Sequence, residues 1–298
     1  MLRPVQYLFP AEARFHADNL VLHARARRHV VNNFAGPNSI KAVVRGEVVW
    51  TVGGRDLLVD ENSFLFLRAG EEYSMNIETN RAVETCCAFF RAGYVEEIVS
   101  DMTSPLVEAL EQVEKAQELP FFSRLHFDPQ GAILERLRTL AERCAPQLQP
   151  SSFEQDFLYL ACRLSSLQEE VRGKMARLPA IKAATRQELF QRLERGREFL
   201  HSRLSGPISL EDAARSAALS PYHFHRAFRQ VHRITPHAYV TNLKLARAQD
   251  LLRRGSSVLE TCLECGFQSP TSFSRLFRDR FGTVPSRVRS EIRKIEAA

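Results

Sequence analysis

Arg226 and Arg275 occupy matching places in a ten-residue block that the chain carries twice, 49 residues apart. The first copy is Ser220-Pro221-Tyr222-His223-Phe224-His225-Arg226-Ala227-Phe228-Arg229; the second is Ser269-Pro270-Thr271-Ser272-Phe273-Ser274-Arg275-Leu276-Phe277-Arg278. The Ser-Pro start, both Phe and both Arg coincide, and Pro236 repeats as Pro285. A guanidinium offers a rigid fork of N–H donors, which fits the paired acceptors of a guanine edge or the oxygens of a phosphate. Around Arg226 stand Tyr222, His225 and Arg229; around Arg275 stand Thr271, Ser272, Ser274, Arg278 and Arg280. These are the phenol, imidazole, hydroxyl and guanidinium groups that meet base edges and phosphates.

Such residues act only if an element holds them on one side. Phe224 and Phe228, four apart, predict a helix with an apolar face opposite the polar one. Ser220 suits an N-cap and Pro221 the first helical position, and Ser269-Pro270 repeats that start. Ahead of each copy lies a short amphipathic segment. Ser209 with Asp212 resembles a capping box followed by Leu210, Ala213, Ala214 and Ala217; Ser257 with Glu260 gives the same pattern again. Gly266 permits the second turn, Phe267 plugs the core, and Phe273, Leu276 and Phe277 face inward. A helix over Pro236–Leu252, roughly 25 Å long at 1.5 Å per residue, joins the copies. That length suits two helices set near the ~34 Å repeat of the major groove. Two helix-turn-helix units in one register point to double-stranded DNA as the partner.

Charge follows the repeat. Residues 181–298 hold 21 Lys and Arg against 11 Asp and Glu, a net of +10, whereas residues 1–180 are net −4. A polyanion binding beside the repeat would release counterions.

The earlier part reads as β and then helix. Ile40–Val44, Glu47–Val52, Arg55–Val59, Ser63–Leu67 and Val83–Phe90 are strand-like, with Gly53-Gly54 as a hairpin turn. Close-spaced short strands predict a small barrel or sandwich. From about Val95 to Arg177 the period is helical, and Phe153, Phe157, Leu160, Leu164, Leu167 and Val171 form an a/d stripe. That stripe either pairs two subunits as a homodimer seam or covers the chain's own β domain. Gly173–Arg186 reads as a linker, and Gln187–Leu204 as the first helix beyond it, stopped by Gly206-Pro207.

Other chemistries find little support. Six Cys in 298 residues do not make a secreted disulfide framework. Cys262 and Cys265 either pack in a helix core or sense redox state, and Cys86 and Cys87 should point to opposite faces of a strand. His223 and His225 diverge on one helix, His232 and His237 belong at the surface, and no metal or other cofactor is expected. No run of 18 apolar residues marks a membrane span, and the first residues lack an apolar signal core, so the expected location is the cytoplasm.

Gly266-Phe267, Phe273, Arg275, Phe277, Arg278, Gly282 and Pro285 match, at their spacing, the signature of the AraC/XylS family of transcription regulators, which residues 187–290 closely resemble. Cys262, where the family has Ala, and Val284 before Pro285 depart from it. The resemblance implies a sequence-specific regulator, an activator more often than a repressor, that contacts RNA polymerase. The β region resembles the cupin-type sensing domain of such proteins, yet Val30–Ile40 lacks the His-x-His pair of metal cupins, and Tyr73 stands where their later His would be. A small-molecule effector would sit in that domain, with Phe34, Trp50, Phe64, Phe66 and Tyr73 as candidate linings. The expected architecture is therefore α+β and multidomain. A cupin-like sensing and dimerisation domain over residues 1–175 and a linker over 176–186 precede an all-α double helix-turn-helix domain over 187–292. A regulator answering to a partner protein, or an enzyme fused to a DNA-binding module, is the alternative.

Overall fold

A computed structural model of the protein describes residues 5–9, 14–103, 124–128, 131–144, 153–179, 182–203 and 209–288. The chain divides into two compact units, Met1–Gly173 and Lys174–Ala298.

The first unit is a nearly closed antiparallel barrel built on two long strands, β2 (Leu20–Ala35) and β7 (Glu72–Phe89). β1 (Val5–Phe9) pairs with the first half of β2. The two halves of β7 choose different partners on their other edge. Residues from Thr85 to Phe89 pair with β3 (Ser39–Arg45), and Tyr73 to Asn76 pair with β4 (Glu47–Val52). The sheet therefore forks: one branch continues through β3 to β6 (Ser63–Leu67) and β8 (Leu125–Phe127), the other through β4 to β5 (Arg55–Asp60). β2 accommodates the fork with register shifts at Ala26/Arg28 and Val31/Phe34, which bend and twist it. Val43, Trp50, Val59, Leu65, Leu67, Met75 and Ile77 fill the interior between the branches.

Three helices cover the outer face: α1 (Tyr94–Thr103), α2 (Ala132–Arg143) and α3 (Glu154–Ala176). Phe153, Phe157, Leu160 and Leu164 are buried in one cluster with Ile40, Ala42, Phe64 and Phe66 of the sheet, and Leu167 packs against it. This part of the a/d stripe is the cover of the chain's own barrel. α2 starts on the Asp128 carboxylate, which accepts from the N–H groups of Ala132, Ile133 and Leu134 at 3.1, 2.6 and 2.9 Å. Asp156 of α3 is buried and accepts from Arg136 (3.0 Å) and Arg143 (2.5 Å), both on α2.

The second unit is helical: α4 (Ala183–Ser202), α5 (Leu210–Ser216), α6 (Pro221–His232), α7 (Pro236–Arg253), α8 (Val258–Glu264) and α9 (Pro270–Phe281). α4 begins four residues before the expected Gln187, on Lys182 as N-cap. The expected Gly206-Pro207 stop lies outside the described residues.

Asp156→Ala removes two charge-assisted hydrogen bonds at once. The barrel unit should lose about 1.5–3 kcal/mol, read as a lower urea midpoint by barrel tryptophan fluorescence. An unchanged midpoint would mean that α3 is held by its apolar stripe alone.

Candidate nucleic-acid interface

Each copy of the repeat folds as a short helix, a turn and a longer helix. α5 and α8 have seven residues each, and α6 and α9 have twelve each. Local chemistry sets these limits. Ser209 Oγ accepts from the Asp212 N–H at 3.3 Å, one half of the capping box. Ser257 and Glu260 form the complete box, at 3.1 and 2.9 Å. Ser220 and Ser269 cap α6 and α9, with Pro221 and Pro270 at the first turn. Thr235 caps α7 in the same way, accepting from the Ala238 N–H at 3.1 Å.

Phe224, Phe228 and Val231 of α6 and Phe273 and Phe277 of α9 are completely buried. α6 approaches α4 closely at Gly196, where a Cβ would lie 2.4 Å from the Phe224 ring. α9 packs against Leu245, Ala248 and Leu252 of α7. With the phenylalanines inward, Tyr222, Arg226 and Arg229 are exposed and His225 is half-buried on the other side of α6. On α9, Thr271, Ser272, Arg275, Arg278 and Arg280 are exposed and Ser274 is half-buried. The structure thus places all ten sequence-derived candidates on the solvent sides of the two longer helices. Arg226, Arg229, Arg275 and Arg278 have no acidic partner among the described residues. Four guanidiniums are therefore left available to an outside anion.

Residues 213–291 match a family of helix-turn-helix domains. The HTH-type transcriptional activator RhaS of Escherichia coli O1:K1 / APEC is 27% identical over 173 residues, covering 55% of this chain and 57% of its own length. RhaS of Escherichia coli O139:H28 (strain E24377A / ETEC) is 28% identical over 182 residues, covering 58% and 60%. The helical unit is thus similar to the DNA-binding part of AraC-type transcription regulators. The chain spans less than two thirds of the length of these relatives. Among solved structures, a probable AraC family transcriptional regulator from Rhodopseudomonas palustris CGA009 is 26% identical, with a TM-score of 0.33 over 34% of this chain and 96% of that one.

Within the helical unit, Cys262 is accommodated without a clash: its thiol donates to the Phe267 carbonyl at 3.7 Å. Cys265 is buried too, and burial pushes its thiol up to about 12. Neither is in a disulfide, and both behave as core residues. His232 corrects the expectation of a surface residue. It packs on the Phe228 ring at 4.3 Å and lies 3.4 Å from Glu194, which is also bound by Arg197. Arg197 donates onward to the Tyr239 hydroxyl at 3.3 Å. Sequence reasoning missed this buried network and its position behind α6; its one signal is two charges at i and i+3 amid the apolar positions of α4. Arg177, expected in the linker, donates to the Val231 carbonyl at 2.7 Å and its own carbonyl accepts from Gln230 at 2.6 Å.

In the barrel, Trp50 and Tyr73 lie in the interior cluster with Phe34 packed beside them. A cleft of about 380 Å³ beside the β4–β5 turn is lined by Asn33, Thr51, Val52, Tyr73, Ser74 and Arg124. Phe64 and Phe66 correct the expected lining. Strand alternation turns them outward onto α2 and α3, while Leu65 and Leu67 face the interior. No group of three or more His, Cys, Asp or Glu suited to a metal occurs among the described residues, and no described helix is long and apolar enough to cross a membrane.

Two outcomes test this packing. Gly196→Ala should destabilise the helical unit by about 1–3 kcal/mol through overpacking against Phe224, seen as a lower denaturant midpoint; an unchanged midpoint would mean the α4–α6 contact yields. Acid should weaken the same unit. Burial pushes the His232 imidazole down against the pull of Glu194. Burial would raise Glu194, but Arg197 and His232 hold its carboxyl well below the usual range. Both folded values lie below the unfolded ones, so the stabilisation is full above the unfolded histidine value of ~6.5 and is lost as pH falls through it and then through the carboxylate range. The melting temperature of the helical unit should therefore fall from neutral to mildly acidic pH, and less so in His232→Phe.

Proposed function

We propose that this chain is a sequence-specific regulator of transcription that binds double-stranded promoter DNA through α6 and α9 and is controlled by a small molecule bound in its barrel. The observation that carries the reading is the pair of matched helices, each presenting arginines without an acidic partner among the described residues, beside hydrogen-bonding side chains. α6 would meet one major groove through Tyr222, His225, Arg226 and Arg229. α9 would meet the next through Thr271, Ser272, Ser274 and Arg275, with Arg278 and Arg280 on phosphates. α7, about 27 Å long for its eighteen residues, acts as the spacer. An activating role, with RNA polymerase as partner, is supported by the RhaS relatives, which are named transcriptional activators. The barrel cleft beside Tyr73 and Arg124 supports the effector part of the reading.

Selection of bound fragments from the source genome, repeated across a salt series, tests the whole. Enrichment of a few promoter sites covering about two helical turns is expected. Arg226→Ala or Arg275→Ala should then cost about 1–3 kcal/mol on the selected site and much less on random DNA, with preference relaxed at one base pair. Equal losses on both DNAs would make these residues phosphate contacts. Uniform, steeply salt-dependent binding without enrichment would sink sequence-specific reading by the unliganded protein.

A further inference from the structure

The barrel interior holds a charged group, Lys41, that the fold itself gives no use. Strand alternation in β3 sends Ile40 and Ala42 to the helix-covered face, and Lys41 to the other, with Val43. Lys41 is 0% exposed. Its Nζ has no hydrogen-bond acceptor and no carboxylate partner among the described residues. It rests instead on two ring faces, 3.5 Å from the Phe89 centroid and 4.7 Å from that of Tyr73. Across the ladder its register partner is the buried Cys87. Burial pushes the amine down to about 8, against the pull of the Cys87 thiol.

Every other feature of this core argues for an apolar residue at position 41. Two aromatic faces moderate the cost of a buried cation, but they supply neither counter-charge nor acceptor, and an unpaired ammonium remains expensive. From the amine a chain of rings leads outward. Tyr73 meets Phe34 at 5.7 Å, Phe34 meets Phe15 at 5.6 Å, and Phe15 meets Phe89 at 4.9 Å. Phe15, on the turn before β2, is 37% exposed and reaches solvent. Tyr73 also lines the cleft beside Arg124. A stack of packed rings that runs from the surface to a buried, unsatisfied amine has the polarity of a site for an amphiphilic anion.

We infer that Lys41 anchors the carboxylate of an apolar or aromatic monocarboxylic acid whose body lies among Phe15, Phe34, Tyr73 and Phe89. The acid supplies the missing acceptor and counter-charge, and the rings take its hydrocarbon part, after rotation of Tyr73 or Phe15 opens the path. This inference rests on the reading of the barrel as an effector domain and names the class of effector.

The test uses the full chain and Lys41→Met, which keeps length and apolar contacts. Benzoate and octanoate are the probes, with benzamide and octan-1-ol as their neutral counterparts, and thermal shift and calorimetry are the readouts. At least one acid should raise the melting temperature of the wild type, well beyond its neutral counterpart. In Lys41→Met its affinity should fall by about 30-fold or more, the effect of removing one partner of a buried charge pair. Unliganded Lys41→Met should melt no lower than the wild type, because the cost of burying an amine without an acceptor outweighs the two ring contacts it loses. No shift with either acid, an undiminished acid response in Lys41→Met, or a destabilised Lys41→Met would each overturn the assignment. An equal response to the neutral probes in both proteins would remove the lysine while leaving an effector-binding barrel. An acid that binds through Lys41 yet leaves affinity for the selected DNA site unchanged would keep the site and sink the effector reading.

Discussion

A helix can read an outside partner only if its other side is locked, and here the lock is aromatic. Phe224 and Phe228 in α6, and Phe273 and Phe277 in α9, sit at i and i+4 and are fully buried. A shift of either helix by one residue turns it through about 100°. That would drag a phenylalanine into water and press an arginine toward the core, where an unpaired charge is not tolerated. The apolar pairs therefore fix which side chains face out, and α4 and α7 fix where. Gly196 lets α4 come close enough to hold Phe224, while Leu245, Ala248 and Leu252 of α7 hold the α8–α9 unit. The arginines are positioned by residues that never meet the ligand.

This dependence on local chemistry explains what was legible. Caps, prolines and i,i+4 phenylalanines act within one turn of helix, so α5 through α9 could be read directly. The strands Glu47–Val52 and Ser63–Leu67 were likewise legible from their β-branched and aromatic runs. The long strands were legible only in the last part of β7, read as Val83–Phe90. β2 carries arginines and histidines through its middle, and β7 runs through Glu78-Thr79-Asn80-Arg81, where most positions are exposed. Their pairing with each other, rather than composition, makes them strands. β6 shows a different limit. All five of its residues are buried, because one face meets the barrel interior and the other meets helices. Alternation tells that Phe64 and Phe66 share a face but not which one. His232 was hidden for a similar reason, since its neighbour Glu194 lies on another helix.

Charges in the two units divide into the satisfied and the unsatisfied. Asp156 binds two arginines of α2, and Glu194 sits among Arg197 and His232. Each ties one helix to another, and each carboxylate brings partners that justify its burial. Lys41 is equally buried and ties nothing together. In a core otherwise so consistent, local rules tend to be broken where something outside the chain is to be met. The same logic applies on the surface, where Arg215 pairs with Asp212 on α5 while Arg226 and Arg275 pair with nothing described.

The two helix-turn-helix halves are similar in frame and different in chemistry, and that difference bears on what a single chain would recognise. Their helices match in length, but the second turn carries one more residue between its short and long helices. Ala218 holds a left-handed conformation, φ 51°, in the first turn, whereas Gly266 takes it in the second at φ 67°. The longer helices end alike, on Arg233 and Gly282, at φ 63° and 71°. Outward from these frames, α6 offers a phenol, an imidazole and two guanidiniums, and α9 offers three hydroxyls and its arginines. Hydroxyls donate or accept with any base, while a guanidinium fork is most selective for guanine. Two such faces held in one order by α7 have no internal two-fold symmetry. On the DNA-reading proposal, one chain would therefore select an asymmetric site with a direction, and would not need a palindrome to orient itself on a promoter.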